Sequence, residues 1–267
     1  MQAMAHGARE GKDPMSIDNP YVLNPSCNVE RIMTSSDHRN RALALNIEAG
    51  TPIYKIYHSM VIADLALAIA DIVARQEQVI VDRDAIEAAA LLHDVGISQT
   101  EDDLSPQHSI VGAQIAFNAG YSEETARCIE THDLGGLIED VVRELGLAPR
   151  RGSKDTVART WNERIVAFAD LIISYEGEYM LDMWEDPFAS AKVAFPYLEI
   201  IYRRRLGVQF PRDHPQLAYI VKFHHEMLKY CPRDLYEKFR PGINRMVDSL
   251  LASGVPIPPA PVLAEWP

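Results

Sequence analysis

The sequence predicts an all-α protein, and two observations carry this prediction. Apolar residues recur at intervals of three and four through most of residues 39–252, which is the period of amphipathic helices. Runs with the alternation or the β-branched enrichment of strands are nearly absent from the sequence. We therefore expect a globular helical bundle with an added C-terminal helical layer.

The composition predicts a folded and acidic protein. The chain has 267 residues, of which 47% are hydrophobic, enough for a domain with a sizeable core. Its formal net charge is −12. Nucleic acids and anionic membranes are bound through clustered Lys and Arg, so we expect neither as a partner. A small phosphate ester needs only a local metal and is compatible with this charge.

Cysteine usage and the N-terminal segment predict a cytoplasmic protein. The three cysteines, Cys27, Cys128 and Cys231, are far apart and form no CxxC pair, so we expect reduced thiols without a structural zinc site. The segment MQAMAHGAREGKDPMS lacks the apolar core of a signal peptide. We also expect no apolar run near the ~18 residues that a membrane helix needs.

The chain is predicted to divide into three parts. Residues 1–45 carry scattered Gly, Pro, Asn and Ser and predict a partly irregular arm. Residues 46–180 contain the clearest helical periodicity and form the predicted core. Residues 181–267 predict a helical extension with a proline-rich tail, through which a homodimer is compatible with the sequence but not required by it.

Capping residues predict where the helices begin and end. Thr51 and Pro52 favour the start of a long helix that reaches about Gln76. Asp84 is predicted to cap the next helix, and Gly96 is predicted to end it through a positive φ. Other helices are expected at 39–49, 105–120, 122–132, 139–147 and 156–174, between Pro187 and Pro196, and at 198–205, 216–229 and 232–251.

The adjacent residues His93 and Asp94 close the apolar segment EAAALLHDVG and lie at the centre of the candidate site. Ile86, Ala90 and His93 share one helical face, so the imidazole is expected to point toward the bundle interior. An isolated His-Asp pair is a weak signal. The apolar run before it and Gly96 after it make the signal stronger.

Three further histidines fall at helical positions that favour the interior or a helix end. His58 lies on the apolar stripe of the first long helix, where a lone histidine is more often a core residue than a ligand. His108 lies in the first turn of its helix. His132 lies at the end of its own helix, where a favourable interaction with the helix dipole is an alternative explanation.

Asp170 is the best single indication of a metal. It lies in the apolar run IVAFADLII, where a carboxylate is costly unless it is paired or bound to a cation. A buried salt bridge to Arg or Lys is the alternative. Histidine and aspartate together are ligands for Mn, Fe, Zn or Mg. The predicted ligands are His58, His93, Asp94, His108, His132 and Asp170.

With these residues placed, the chain resembles the HD-domain superfamily of metal-dependent phosphohydrolases over about residues 50–180. The order H…HD…D matches, and the segments PQHSIVGAQIA and IETHDLGG resemble the additional histidine helices of members that hold two metals. Many members carry Lys four residues after the histidine of the HD pair. Ile97 stands at that position here, so no lysine role is carried over to it.

The resemblance implies hydrolysis of a nucleotide or another small phosphate ester by a metal-activated hydroxide, with one or two divalent ions (Fe, Mn, Mg or Zn). The same ligand set is similar to that of the mixed-valent di-iron oxygenases built on this scaffold. A non-catalytic signalling module is the third alternative. In the two-metal arrangement, His58, His93, Asp94 and Asp170 hold one ion, His108 and His132 hold the other, and Asp94 bridges the two.

Other polar residues have less specific predicted roles. Asp133, next to His132, is a candidate acid or base in catalysis, and a solvated residue at a helix end is the alternative. The segment His224-His225-Glu226 is interpreted as helix surface, because adjacent helical residues point about 100° apart. Candidates for binding a substrate phosphate are Arg127, Arg164 and Lys154, together with Arg150 and Arg151.

Overall fold

The computed structural model describes residues 38–100, 105–150, 153–173 and 189–231, together with Asp234. Throughout these residues the protein is helical and contains no strand, which confirms the predicted all-α class. The predicted arm, the helix expected at 232–251 and the proline-rich tail lie outside the described residues. The helices are α1 (His38–Glu48), α2 (Ile53–Glu77), α3 (Arg83–Leu92), α4 (Gln107–Asn118), α5 (Glu123–Glu130), α6 (Glu139–Glu144), α7 (Trp161–Ile173), α8 (Ala189–Leu206) and α9 (Pro215–Leu228).

Helix α2 forms the centre of the bundle and packs against α3 and α7. Its inner face, which includes Ile62, Leu65 and Ile69, is completely buried. By length and composition α2 is apolar enough to cross a membrane, contrary to our expectation that no segment would be. More than half of that apolar stretch is buried against the rest of the protein, as in the core helix of a bundle.

The helix starts show which polar side chains act as caps. Ser122 caps α5 by accepting the N–H of Thr125, as predicted. The prediction for α3 was wrong by two residues, because Asp82 and not Asp84 accepts the N–H of Ala85. Asp82 has an extended backbone, which suits an N-cap, whereas Asp84 lies in the first helical turn.

Gly96 is required by close packing and not by its backbone angle. Its φ is −81°, so the predicted positive φ was wrong. A Cβ at this position would lie 2.2 Å from the carbonyl oxygen of His108 and 2.5 Å from the amide nitrogen of Gly112. The turn that follows α3 therefore rests directly on the backbone of α4. This contact brings the two segments that carry His93 and His108 together.

The helix predicted from about Thr156 begins at Trp161 instead. The residues before it are bonded to a distant loop: the Thr156 N–H donates to the Leu137 carbonyl (3.2 Å), and the Ala158 N–H donates to the Gly135 carbonyl (3.1 Å). These long-range hydrogen bonds replace those of a first helical turn. The segment thereby supports the loop that follows His132.

Helices α8 and α9 pack against each other and form what we call the C-terminal layer. Pro196 lies inside α8, so it does not end a helix as predicted. A proline inside a helix costs about 3 kcal/mol or more. The buried residues Leu198 and Tyr202 on the same helix provide packing that opposes this cost.

His224 in α9 is buried, which corrects its interpretation as helix surface. It is 1% exposed and its ring centroid lies 5.8 Å from that of Phe168 in α7. His225 and Glu226, in contrast, are exposed. The buried face of α9 is wider than the strict helical stripe, because Phe223 and His224 both pack inward.

Candidate metal centre

The six predicted ligands converge in one buried cluster, although they come from five separate segments. Each of them is between 1% and 8% exposed. His58 lies on α2, Asp170 on α7 and His108 in the first turn of α4. His93 and Asp94 directly follow α3, and His132 follows α5. The helix ends and the packing of α2 against α7 thus bring polar residues together inside an apolar bundle.

Four of these residues form what we call the first half-site: His58, His93, Asp94 and Asp170. Nε2 of His58 lies 3.2 Å from Oδ1 of Asp170, and Nε2 of His93 lies 3.5 Å from the same oxygen. Nε2 of His93 is also 3.2 Å from Oδ2 of Asp94. Ligand atoms of His58, His93 and Asp94 all lie within 4.8 Å of one another, so a single cation fits among them.

The second half-site consists of His108 and His132 together with Asp94. The Nε2 atoms of the two histidines are 3.0 Å apart, and Nε2 of His108 lies 3.5 Å from Oδ1 of Asp94. The ligand atoms of the three residues are again within 4.8 Å of one another. The two oxygens of Asp94 therefore face different half-sites, with Oδ2 toward His93 and Oδ1 toward His108.

Local backbone contacts fix the orientation of three histidine rings. In each case Nδ1 faces the carbonyl oxygen of the residue three positions earlier in the chain. A carbonyl can only accept, so Nδ1 carries a proton and Nε2 is directed toward the centre. The pairs are His93 with Ala90 (2.8 Å), His108 with Ser105 (2.7 Å) and His132 with Ile129 (2.7 Å).

The electrostatics of the cluster suit a cation. Burial lowers the pKa of His108 and lowers the pKa of His132 to about 4, so both rings are neutral near pH 7. Burial would also lower the pKa of His93, but Asp94 and Asp170 outweigh it and raise this pKa to about 9. Burial opposes ionisation of the two carboxyl groups, yet His93 holds the pKa of both below the usual range. A bound cation would replace the proton of His93.

An unsatisfied atom provides a separate test of whether the cluster fits a metal. Nε2 of His93 is buried and has carboxylate oxygens at 3.2 and 3.5 Å, but it makes no well-aligned hydrogen bond within the part of the chain that the structure describes. A metal ion would satisfy this buried atom. The donor set of imidazole nitrogens and carboxylate oxygens is the one that Fe, Mn and Zn accept. The residues present therefore fit a divalent metal.

Lys55 is a residue of the site that sequence reasoning missed. Its Nζ lies 2.9 Å from Oδ2 of Asp94. Lys55 precedes His58 by three residues on α2, and this spacing places two side chains on the same helical face. The spacing was available in the sequence.

Asp133 lies beside the cluster and is bonded to the C-terminal layer. The Tyr197 hydroxyl in α8 donates to Oδ2 of Asp133 at 2.9 Å. Burial raises the pKa of Asp133. This contact joins residues 64 positions apart in the chain, so no local pattern could have indicated it.

Three of the predicted phosphate-binding residues pair with carboxylates. Arg127 forms an ion pair with Glu130 at 2.9 Å, and Arg164 forms one with Glu226 at 2.6 Å. Lys154 is exposed. Arg150 pairs with Glu123, and Arg151 lies outside the described residues. A substrate-binding role for any of these side chains stays a prediction.

By its fold and its site, the protein is a helical protein with a buried histidine and aspartate centre that suits a divalent metal. Residues 56–173 match the model of the HD domain. This match and the buried histidine and aspartate groups support an HD domain over these residues, and the HD-domain superfamily is one of metal-dependent hydrolases.

Several curated proteins are similar to the chain. An uncharacterized protein of Methanocaldococcus jannaschii is 27% identical over 172 residues, which is 64% of this chain and 86% of that protein. A tRNA (cytidine(56)-2'-O)-methyltransferase of Picrophilus torridus is 29% identical over 58% of the chain, and one of Thermoplasma volcanium is 30% identical over 55%. The matches span 37% and 39% of these two enzymes. No solved structure is significantly similar to the chain.

Proposed function

We propose that the protein is a metal-dependent phosphohydrolase that acts on a nucleotide or another small phosphate ester. The observation that carries the proposal is the position of Asp94 between two groups of histidines. Its Oδ2 is 3.2 Å from Nε2 of His93 and its Oδ1 is 3.5 Å from Nε2 of His108. A carboxylate with one oxygen toward each half-site suits two cations that act together on one phosphoryl group.

The residues of the chain would divide the work of the reaction. The six ligands would hold one or two divalent ions, of Fe, Mn, Mg or Zn. When bound, these ions supply Lewis acidity and lower the pKa of water toward neutrality. The backbone contacts at Nδ1 keep the rings of His93, His108 and His132 in place, so that their Nε2 atoms do not reorganise during the reaction. Asp133, held by Tyr197, is proposed to exchange a proton with the substrate.

We do not propose methyltransferase activity for this protein. The matched part is less than two fifths of either enzyme. A net charge of −12 also disfavours a broad surface for RNA phosphates. A small phosphate-containing molecule as the partner and a cytoplasmic location stay predictions.

Metal content and phosphate release together test the proposal. Purified protein is loaded with Mn, Fe, Zn or Mg, analysed for bound metal, and assayed for release of inorganic phosphate from nucleotides and phosphate monoesters. We expect up to two ions per chain and metal-dependent hydrolysis, both lost in Asp94→Ala. Asp71→Ala is the matched control, because Asp71 is exposed on α2 and pairs with Arg83.

Two outcomes would contradict the proposal. Absence of bound metal after loading would remove the mechanism. Oxygen consumption by the iron-loaded protein, without release of phosphate from any substrate, would favour the di-iron oxygenase alternative. The Asp94→Ala variant would be inactive whether the protein is a hydrolase or an oxygenase, so only the substrate assays on the wild type distinguish these two functions.

A further inference from the structure

We propose that Lys55 is a substrate-binding residue whose ammonium group contacts a phosphoryl oxygen beside Asp94. This inference rests on the proposed phosphohydrolase function. Its basis is the 2.9 Å separation between Nζ of Lys55 and Oδ2 of Asp94, the carboxylate oxygen that faces His93. A cation at this position lies within reach of any group bound to the first half-site.

The structure places Lys55 at the edge of the site and not in its interior. Its side chain is 24% exposed, whereas those of Asp94 and His93 are 4% and 1% exposed. Lys55 lies in the first turn of α2, three residues before His58, so one end of this helix carries both a metal ligand and a cation. The ammonium group is therefore more accessible to solvent than the carboxylate that it contacts.

Charge balance indicates why the ammonium would be available to a substrate. Lys55 offsets the charge of Asp94, with which it forms an ion pair. Divalent cations held by Asp94 would take over that role and would repel the ammonium, which then favours an anion as its partner. A phosphoryl group supplies oxygens that bind metal and ammonium at once.

Other candidate cations are less well placed. The guanidinium group of Arg127 pairs with Glu130, and that of Arg164 pairs with Glu226. Ile97 is 4% exposed and apolar, so it supplies no charge. Lys55 supplies a positive charge from a different helix.

The test measures binding of inorganic phosphate to metal-loaded protein by calorimetry, for wild type, Lys55→Met and Lys55→Arg. Loss of one charge-assisted hydrogen bond is expected to raise the Kd for phosphate about tenfold or more in Lys55→Met. Metal content is expected to be unchanged, and Lys55→Arg is expected to restore part of the affinity. With a hydrolysed substrate, KM is expected to rise more than kcat falls.

Lys229→Met is the matched control. Lys229 is 60% exposed and pairs with Glu77, at the opposite end of α2 from Lys55. This variant removes the same charge about 30 Å away along the helix, given a rise of ~1.5 Å per residue. Phosphate affinity is expected to equal that of the wild type.

The outcomes separate this inference from the proposed function. Unchanged phosphate affinity in Lys55→Met with metals retained would overturn the role of Lys55, even if the wild type hydrolyses phosphate esters. Loss of metal in Lys55→Met would also overturn it, because the residue would then organise the ligands. Weaker phosphate binding in Lys55→Met, in a wild type that hydrolyses no phosphate ester, would support the anion site while the proposed function fails.

Discussion

The two half-sites share Asp94 but are held in place by different parts of the molecule. His58 and Asp170 project from the middle of the bundle, where α2 packs against α3 and α7. His108 and His132 lie instead in a first helical turn and in a loop. Two of the four ligands of the first half-site, His58 and Asp170, thus come from core helices, whereas both histidines of the second half-site lie near helix ends.

The C-terminal layer supports both segments of the second half-site. Arg205 in α8 donates to the hydroxyl of Ser105 at 3.0 Å, and the carbonyl of Ser105 is the one that orients His108. Gln216 in α9 donates to the carbonyl of Gly136 at 2.9 Å, in the loop that follows His132. The layer lies beyond residue 173, where the match to the HD domain ends. This comparison indicates that the extension stabilises the second half-site.

Removing one ligand from each half-site is expected to have the largest effect. His132→Ala leaves only His108 and Asp94 in the second half-site, so its ion should be lost completely. Asp170→Ala leaves three ligands in the first half-site, so its ion should be bound more weakly but not lost completely. Metal equivalents after dialysis, in the two variants and in the Asp71→Ala control, measure the difference. Equal losses in the two variants would show that the half-sites do not act separately.

Gly96→Ala is expected to force the two half-sites apart. The added Cβ would lie 2.2 Å from the carbonyl oxygen of His108, so the turn carrying Asp94 and the helix carrying His108 must separate. Overpacking of this kind costs typically about 1–3 kcal/mol of unfolding free energy. Urea denaturation measures this cost. Metal analysis should show a greater loss of the ion in the second half-site than of the ion in the first.

Gly112→Ala provides a graded comparison for the same contact. Its Cβ would lie 3.1 Å from the amide nitrogen of Gly96, a milder approach. We expect a smaller loss of stability than in Gly96→Ala. A larger loss of stability in Gly112→Ala than in Gly96→Ala would show that the close approach of Gly96 to α4 does not determine the cost.

Tyr197→Phe is expected to lower the rate of the reaction without changing metal binding at the first half-site. The change removes the hydroxyl that donates to Oδ2 of Asp133. A hydrogen bond of about 1 kcal/mol corresponds to a roughly fivefold slower rate. Tyr202→Phe is the control on the same helix, since its hydroxyl donates to Glu144 instead. Equal rates in the two variants would argue against a role for Tyr197 in positioning Asp133.

The sequence predicted the core of the site better than its surroundings, for a physical reason. Helical periodicity placed His58 and Asp170 on buried faces, because the period of a helix is a local property of the chain. Tyr197 approaches Asp133 only through the packing of α8, which no local pattern encodes. The late start of α7 has the same origin, since Thr156 bonds to Leu137, 19 residues away. Lys55, by contrast, was missed although its three-residue spacing from His58 is a local signal.

The smallest predicted effect concerns the contact between the C-terminal layer and α7, the helix of Asp170. His224 is 1% exposed and packs on Phe168, and burial lowers its pKa to about 4. Between pH 6.5 and 4 the unfolded chain binds a proton that the folded protein does not, so the free energy of unfolding should decrease as the pH falls. One such group contributes at most about 1.4 kcal/mol per pH unit in this window.

Denaturation of wild type and His224→Phe across this pH range measures the contribution. The variant keeps an aromatic ring against Phe168 but does not titrate, so its stability should decrease less steeply on acidification. His225→Gln removes the exposed neighbour and should keep most of the wild-type slope. The buried histidines of the metal centre titrate equally in all three proteins, and the difference between slopes therefore isolates His224. Identical slopes would place the acid sensitivity in the metal centre and leave the C-terminal layer without a pH-dependent contribution.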